Sequence, residues 1–213
     1  MKKREKQSSR KRTALRRCAI LAAVVILASA GNLYNFLPIQ AVWDMADLND
    51  IEHPRVVRRF YDGTLPVTRF ALHYLVEGDR AMMLCVAGYH PLFGWYDRAY
   101  ARVETWDGAG LYAEVYGHRQ GGAETAYLFG RVDDPDIRCL SLRITENVHG
   151  EDPSTRTVEI PAADIRERDG ELYVLTKLED VSVGAYNAFE VLGFDEAGLP
   201  VTAVEAQQHT WAT

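Results

Sequence analysis

The chain has 213 residues, of which 47% are hydrophobic and 25% are charged, with 16 Gly and 8 Pro. This composition excludes a collagen-like or wholly disordered chain, and the mean hydropathy of −0.20 excludes a multi-span membrane protein. The length suits one domain of ordinary size with a tail or an anchor.

The chain begins with a dense block of positive charge. Residues 1–17 contain nine Lys or Arg and one Glu, a net charge of +8, so the remaining residues carry −14. Like charges at this density repel one another, which predicts a solvated cytoplasmic tail over residues 1–17. The acidic remainder argues against binding to nucleic acid, because contacts with phosphates need a basic surface.

Residues 18–39 are predicted as a transmembrane helix or signal-anchor. No charged residue occurs between residues 18 and 43, although the apolar centre, residues 18–30, is shorter than the ~20 residues that span a bilayer core. In this interpretation the helix continues beyond residue 30, and Tyr34 and Phe36 lie near the outer interface, where aromatic side chains anchor.

The alternative for the same segment is a signal peptide that is cleaved after Ala30, since small residues at positions 28 and 30 match a cleavage site before Gly31. In both interpretations the basic end stays in the cytoplasm and the body of the chain lies outside. The protein is then either a single-pass protein of the cell membrane or a secreted one.

Residues 40–66 are predicted as a short helical or irregular juxtamembrane linker. Met45, Leu48 and Ile51 recur at helical spacing, and Pro54 can begin a second helical piece. A basic cluster in this segment, which can contact lipid head groups or pair with nearby carboxylates, consists of Arg55, Arg58 and Arg59.

Residues 67–213 are predicted as a β-rich extracytoplasmic domain. Short apolar runs are separated by turns with Gly and Asp, and several runs alternate, as where Leu140, Leu142 and Ile144 face one way. These features predict an all-β fold, an antiparallel β-sandwich of roughly eight to ten strands, with a sheet closed on itself as the alternative. The runs are Arg69–Glu77, Ala81–Tyr89, Ala99–Trp106, Leu111–Gly117, Thr125–Val132, Ile137–Ile144, Thr155–Ile160, Leu172–Leu178, Ala188–Phe194 and Pro200–Glu205.

Two of the three cysteines, Cys85 and Cys139, lie in predicted strands and form a candidate disulfide. Export to an oxidising compartment favours a bridge. Against it, a domain of this size has enough core without one, and free cysteine is commonly buried. Both interpretations predict that the two thiols are protected from reagents.

The sequence contains no recognisable catalytic or metal-binding motif. The six histidines have no metal-ligand spacing, and there is no C-x-x-C, phosphate loop or G-x-S-x-G. The acidic turn at residues 133–136 contains oxygen ligands of the kind that Ca²⁺ takes, but Asp is also common in turns. We therefore predict no catalytic residue, metal or cofactor.

The most distinctive stretch is residues 88–100, GYHPLFGWYDRAY, which we predict as a long loop rich in aromatic residues. One hypothesis is that the loop presents aromatic side chains to a ligand. The other is that they fill one end of the core, because aromatic side chains are usually buried. The candidate ligand-binding residues are His90, Trp95, Tyr96 and Asp97.

Two functional classes follow from these observations. The first is a non-enzymatic envelope protein whose outer domain binds a protein, a peptide or a glycan, and which contacts the membrane through its N-terminal helix. The second is an exported hydrolase with a site of acids and His90 near residues 88–100. A binding module is expected to have a shallow surface, and an enzyme a deep pocket with converging titratable groups.

Overall fold

A computed structural model describes residues 2–30, 34–61, 71–92, 94–105, 108–120, 123–149, 152–181, 183–184 and 186–212. Several predicted features lie outside the described residues: Gly31 at the cleavage site, residues 62–70 at the end of the linker and the start of the first strand run, Phe93 in the aromatic stretch, and Trp106.

Two helices precede the strands. Helix α1, Lys2–Ala30, includes the residues predicted as a solvated tail. Among the described residues, no helix combines the length and the apolar character needed to cross a membrane. Helix α2, Pro38–Leu48, begins at a proline, whose fixed φ suits the first helical turn, and the Leu37 N–H donates to Gln40 Oε1 at 2.9 Å. Residues 34–37, which lie between the two helices, are not helical, so the predicted helix over residues 18–39 is not continuous.

The described residues contain twelve strands in two sheets, so the prediction of an all-β, sandwich-like fold is confirmed. The first sheet has the order β1-β2-β3-β4, and the second has the order β8-β7-β11-β12-β5-β6-β10-β9. All pairings are antiparallel except that of β12 with β5, which is parallel. The strands are β1 Arg55–Phe60, β2 Ala71–Glu77, β3 Ala81–His90, β4 Gly94–Glu104, β5 Leu111–Gln120, β6 Ala123–Val132, β7 Cys139–Glu146, β8 Ser154–Glu159, β9 Ile165–Arg168, β10 Glu171–Leu178, β11 Ala188–Phe194 and β12 Pro200–Ala212.

The eight-stranded sheet curls around a core of its own. All eight strands contribute apolar side chains to this core, including its edge strands β8 and β9 through the partly buried Val158 and Ile165. The chain passes directly from β8 to β9 through a short 3-10 helix, Ala162–Asp164. The two edges of the sheet are thus joined by only a few residues.

The two central strands of the four-stranded sheet, β2 and β3, are buried on both faces. One face packs against aromatic side chains on the outer side of β5, β6 and β10, among them Tyr116, Phe129 and Tyr173. The opposite face packs against α2 through Val42 and Met45. Because both faces are covered, β2 and β3 are almost continuously buried and consist largely of apolar residues.

The structure differs from the prediction in the segment before residue 67. The predicted linker, residues 40–66, contains most of α2 and all of β1, and both pack into the domain. Strand β1 is an edge strand with three arginines, and edge strands commonly carry charges that discourage pairing with other chains. The arginines interrupt the alternation of apolar and polar residues that would predict a strand.

The two cysteines of the domain are free and lie in different sheets. Cys85, on β3, is buried, whereas Cys139, at the start of β7, is exposed. The candidate disulfide is therefore absent from this structure, and the prediction that both thiols are protected is wrong for Cys139. Burial raises the pKa of the Cys85 thiol well above its usual range.

Candidate functional site

The stretch predicted as a long aromatic loop is mostly strand. His90 ends β3 and Gly94 begins β4, so the connection between the two strands is a tight hairpin. Gly94 has a φ of +76°, and a Cβ there would lie 2.4 Å from the Asn35 carbonyl oxygen. Glycine is required at this position both for the left-handed backbone and for the close approach of residue 35.

The hairpin does not bring the four candidate ligand-binding residues onto one surface. Trp95 is half-buried beside the α2 side of the sheet, and its ring lies 5.4 Å from that of Tyr89. Tyr96 points to the other face, where it lies against Gly88. The His90 Nδ1 accepts the Leu92 N–H at 3.2 Å, within the turn, and Asp97 is exposed.

Aromatic side chains do gather at this end of the domain, together with residues from the segment after α1. The Tyr34 ring lies 4.6 Å from that of Phe36, and the Tyr34 hydroxyl donates to the Pro91 carbonyl at 3.4 Å. The Trp95 N–H donates to the Asn35 carbonyl at 2.8 Å, which fixes this segment to β4. We call this surface the aromatic end; it consists of Tyr34, Phe36, Tyr89, Leu92 and Trp95.

A second candidate site, which the sequence analysis did not find, is a cleft between the two sheets. It lies between β1 of the first sheet and β9 and β10 of the second. Two adjoining cavities of about 170 Å³ and 250 Å³ share Arg58 and Leu175 in their walls. We call this feature the inter-sheet cleft; its other lining residues are Val57, Phe60, Tyr61, Leu75, Tyr127, Asp164, Arg166, Glu167, Arg168, Tyr173 and Lys177.

The inter-sheet cleft contains two guanidinium groups, those of Arg58 and Arg166, that form no ion pair with any residue the structure describes. Arg58 donates through Nη1 to the Leu175 carbonyl at 3.1 Å. Its burial and the positive charge of Arg166 lower the pKa of Arg58, and the carboxylate of Asp164 opposes part of this change. Within the described part of the chain, neither Arg58 nor Arg166 forms an ion pair within 4 Å. The nearby Asp164 accepts a hydrogen bond from Thr176 Oγ1 at 2.6 Å. An acidic domain therefore keeps a local excess of positive charge here.

The third arginine of the inter-sheet cleft has a structural role. Arg168 donates through Nη1 to the carbonyls of Val56 and Val57, the latter at 3.0 Å. These carbonyls belong to β1, an edge strand. The contact ties the edge of the second sheet to the edge of the first, and it fixes one wall of the cleft.

A buried charge network lies beside the inter-sheet cleft and also joins the sheets. Glu77 Oε2 accepts from Arg55 Nε at 2.6 Å and from the Tyr173 hydroxyl at 2.7 Å, and Oε1 accepts from Arg131 Nη1 at 2.8 Å. The Glu77 side chain is only 3% exposed. Both oxygens of the Glu77 carboxylate accept hydrogen bonds from protein donors, so the network is a structural connection between the sheets.

A second polar pair consists of Glu114, which is buried, and His209, whose side chain is 38% exposed. Glu114 Oε2 lies 3.4 Å from His209 Nε2, and neither atom has another hydrogen-bond partner among the described residues. Burial raises the pKa of Glu114, and the neighbouring His209 opposes part of this change. Neither residue lines the inter-sheet cleft. Across the described residues, no group of His, Cys, Asp and Glu is arranged to hold a metal ion.

Comparisons with known protein families, with curated proteins and with solved structures find no match to this chain.

Proposed function

We propose that this chain is a single-pass envelope protein with its N-terminus in the cytoplasm and its β domain outside. Two observations support the proposal. The charge of +8 over residues 1–17 adjoins a run without charge, which is the pattern that orients an anchor. In addition, α1 leaves large apolar side chains exposed, among them Leu21 at 69% and Ile26 at 65%. Exposed apolar surface of this kind needs a partner, and a lipid bilayer supplies one.

The outer domain is proposed to be a non-enzymatic binding module that recognises a carboxylate-bearing partner in the inter-sheet cleft. The observation that carries this proposal is the Arg58–Arg166 pair, which forms no ion pair within 4 Å among the described residues although acidic residues outnumber basic ones in the domain. Guanidinium groups bind carboxylates through two parallel hydrogen bonds. The apolar walls of the cleft, such as Val57 and Phe60, would contact the backbone of the bound chain.

Both acidic proteins and acidic glycans carry carboxylates, and the cleft suits the chemistry that they share. A hydrolase near residues 88–100 has no comparable support, because Trp95 and Tyr96 point to opposite faces and His90 is engaged within the turn.

The anchor is tested by the N-terminal sequence of the mature protein and by its distribution between membrane and soluble fractions. An intact N-terminus in the membrane fraction, with the β domain digested only by protease added outside, is the expected result. A mature chain that begins at Gly31 and is released from the cells would overturn the anchor.

The binding site is tested by titrating the full chain in detergent with polyglutamate, polygalacturonate and neutral dextran at constant ionic strength. We expect one or both acidic polymers to bind, with the stronger one indicating the class of partner. Removal of one charge-assisted contact costs about 1.5–3 kcal/mol, so Arg166→Gln should weaken binding tenfold or more.

The matched control is Arg143→Gln. Arg143 is an exposed strand arginine that pairs with Glu190 at 2.5 Å and is not among the lining residues of the inter-sheet cleft. Its replacement should leave binding unchanged. Equal losses in the Arg166 and Arg143 variants would mean that the polymers bind by general charge, and the cleft would lose its proposed role.

A further inference from the structure

The aromatic end lies close in sequence to the apolar helix. Tyr34 is the first described residue after Ala30, and four Cα–Cα steps reach at most about 14 Å. The Trp95 N–H donates a hydrogen bond to the Asn35 carbonyl, so the β3–β4 hairpin is attached to the segment that follows α1. Wherever the outer end of α1 lies, the aromatic end must therefore be nearby.

The apolar part of α1 is short for a bilayer. Residues 18–30 extend only about 20 Å as a helix, whereas the hydrocarbon core is about 30 Å thick. A short span is accommodated by local thinning, and its flanking residues are drawn into the interface. On the outer side of the membrane, the residues that follow α1 in the sequence, Tyr34 and Phe36, belong to the aromatic end.

The side chains of the aromatic end match the membrane interface in chemistry. Tyr34, Tyr89 and Trp95 are the residue types that concentrate at the level of the lipid head groups, because each combines an apolar ring with a polar atom. Leu92, at the tip of the hairpin, is 76% exposed, and Phe36 is 39% exposed. The adjacent carboxylate of Asp44 accepts a hydrogen bond from Asn35 Nδ2 at 3.0 Å.

We infer that the aromatic end is a membrane-docking surface, which inserts into the outer interface of the bilayer that anchors the chain. The inference rests on the anchor proposed above. It assigns to Tyr89, Leu92 and Trp95 a lipid partner in place of a soluble ligand. It also fixes the orientation of the domain, because the hairpin tip then faces the membrane.

The test is site-directed spin labelling of the full chain in phosphatidylcholine–phosphatidylglycerol vesicles. A nitroxide is attached at Leu92→Cys in a chain in which the two exposed cysteines, Cys18 and Cys139, are replaced by Ala. The matched control carries the label at Leu199→Cys, which is also strongly exposed but lies in the turn between β11 and β12.

We expect the label at position 92 to collide with a water-soluble nickel chelate several-fold less often than the label at position 199, and more often with oxygen. Introducing Phe36→Glu should restore chelate access at position 92, because a charge disfavours insertion into the interface. Equal chelate access at positions 92 and 199 would overturn the inference. A position 92 that stays shielded in the Phe36→Glu variant would also overturn it, since the shield would then be protein.

Flotation of the same vesicles separates this inference from the anchor. If the chain does not float with the lipid, the anchor fails and the docking surface fails with it. If the chain floats but position 92 is open to the chelate, the anchor stands and the docking surface alone is refuted.

Discussion

Replacement of Glu77 tests the charge network that joins the two sheets. The Glu77→Gln change keeps the shape of the side chain but removes its charge. Arg131, which is 11% exposed, then keeps Asp133, through an Nε–Oδ1 contact of 2.6 Å, and the more distant Glu171, through an Nη1–Oε1 contact of 4.0 Å. The Tyr173 hydroxyl loses the carboxylate of Glu77 at 2.7 Å as an acceptor and keeps that of Glu171 at 2.5 Å.

Breaking a buried ion pair by removing one partner costs about 3–5 kcal/mol. We expect the lower end of that range for Glu77→Gln, because Arg131 keeps Asp133 and Arg55 keeps Glu171. A loss of about 3 kcal/mol lowers the Tm of a domain of this size by about 6–12 °C. It is also a large share of the 5–15 kcal/mol that typically stabilises a domain.

The assay is urea denaturation of the full chain in detergent, with unfolding monitored by tryptophan fluorescence. The control is Glu190→Gln on the exposed Arg143–Glu190 pair, which should cost less than about 1 kcal/mol. A double variant, Glu77→Leu with Arg131→Met, should recover much of the loss, since it removes both charges together. If Glu77→Gln costs no more than Glu190→Gln, the reasoning about the network is refuted.

Two further predictions concern Glu114 and the two cysteines of the domain. Because the pKa of Glu114 is raised in the folded state, its contribution to stability is present at low pH and is lost as pH rises through the folded-state pKa. Glu114→Gln should therefore be stabilising near pH 7 relative to its effect near pH 4. Urea denaturation at both pH values measures this difference, and an effect independent of pH would contradict the prediction. In the folded chain, Cys139 should react rapidly with a thiol reagent, while Cys85 should react only on unfolding. Mass measurement under non-reducing conditions should show both residues as free thiols. A disulfide-bridged species, or fast labelling of Cys85, would contradict the burial of Cys85 and the exposure of Cys139.

The central strands could be predicted from the sequence because their apolar patterns are local. Each of the ten predicted runs overlaps a strand of the structure. The two missed strands, β1 and β9, are edge strands rich in arginine. Edge strands have one neighbour and carry charge, so the period-two signal of buried residues is weak in them.

The sites were harder to predict because they depend on distant residues. Arg58 and Arg166 are on separate sheets and meet only through the packing of β1 near β9 and β10. The composition of residues 88–100 drew attention to the β3–β4 hairpin, which forms part of the aromatic end. It could not show that Trp95 and Tyr96 point in opposite directions, because that follows from their place on a strand.

The position of β12 has a consequence for how the domain is completed after synthesis. The last strand of the chain lies between β11 and β5, and its parallel pairing sets Gln207 beside Glu114. Until residues 200–212 emerge, strands β8, β7 and β11 cannot join strands β5, β6, β10 and β9 into one sheet. Contacts between such distant parts of a chain form slowly and leave apolar faces open to aggregation. Because the chain is synthesised from its N-terminus, the eight-stranded sheet lacks this central strand until the last residues are made, and truncation of residues 200–212 would divide the sheet in two.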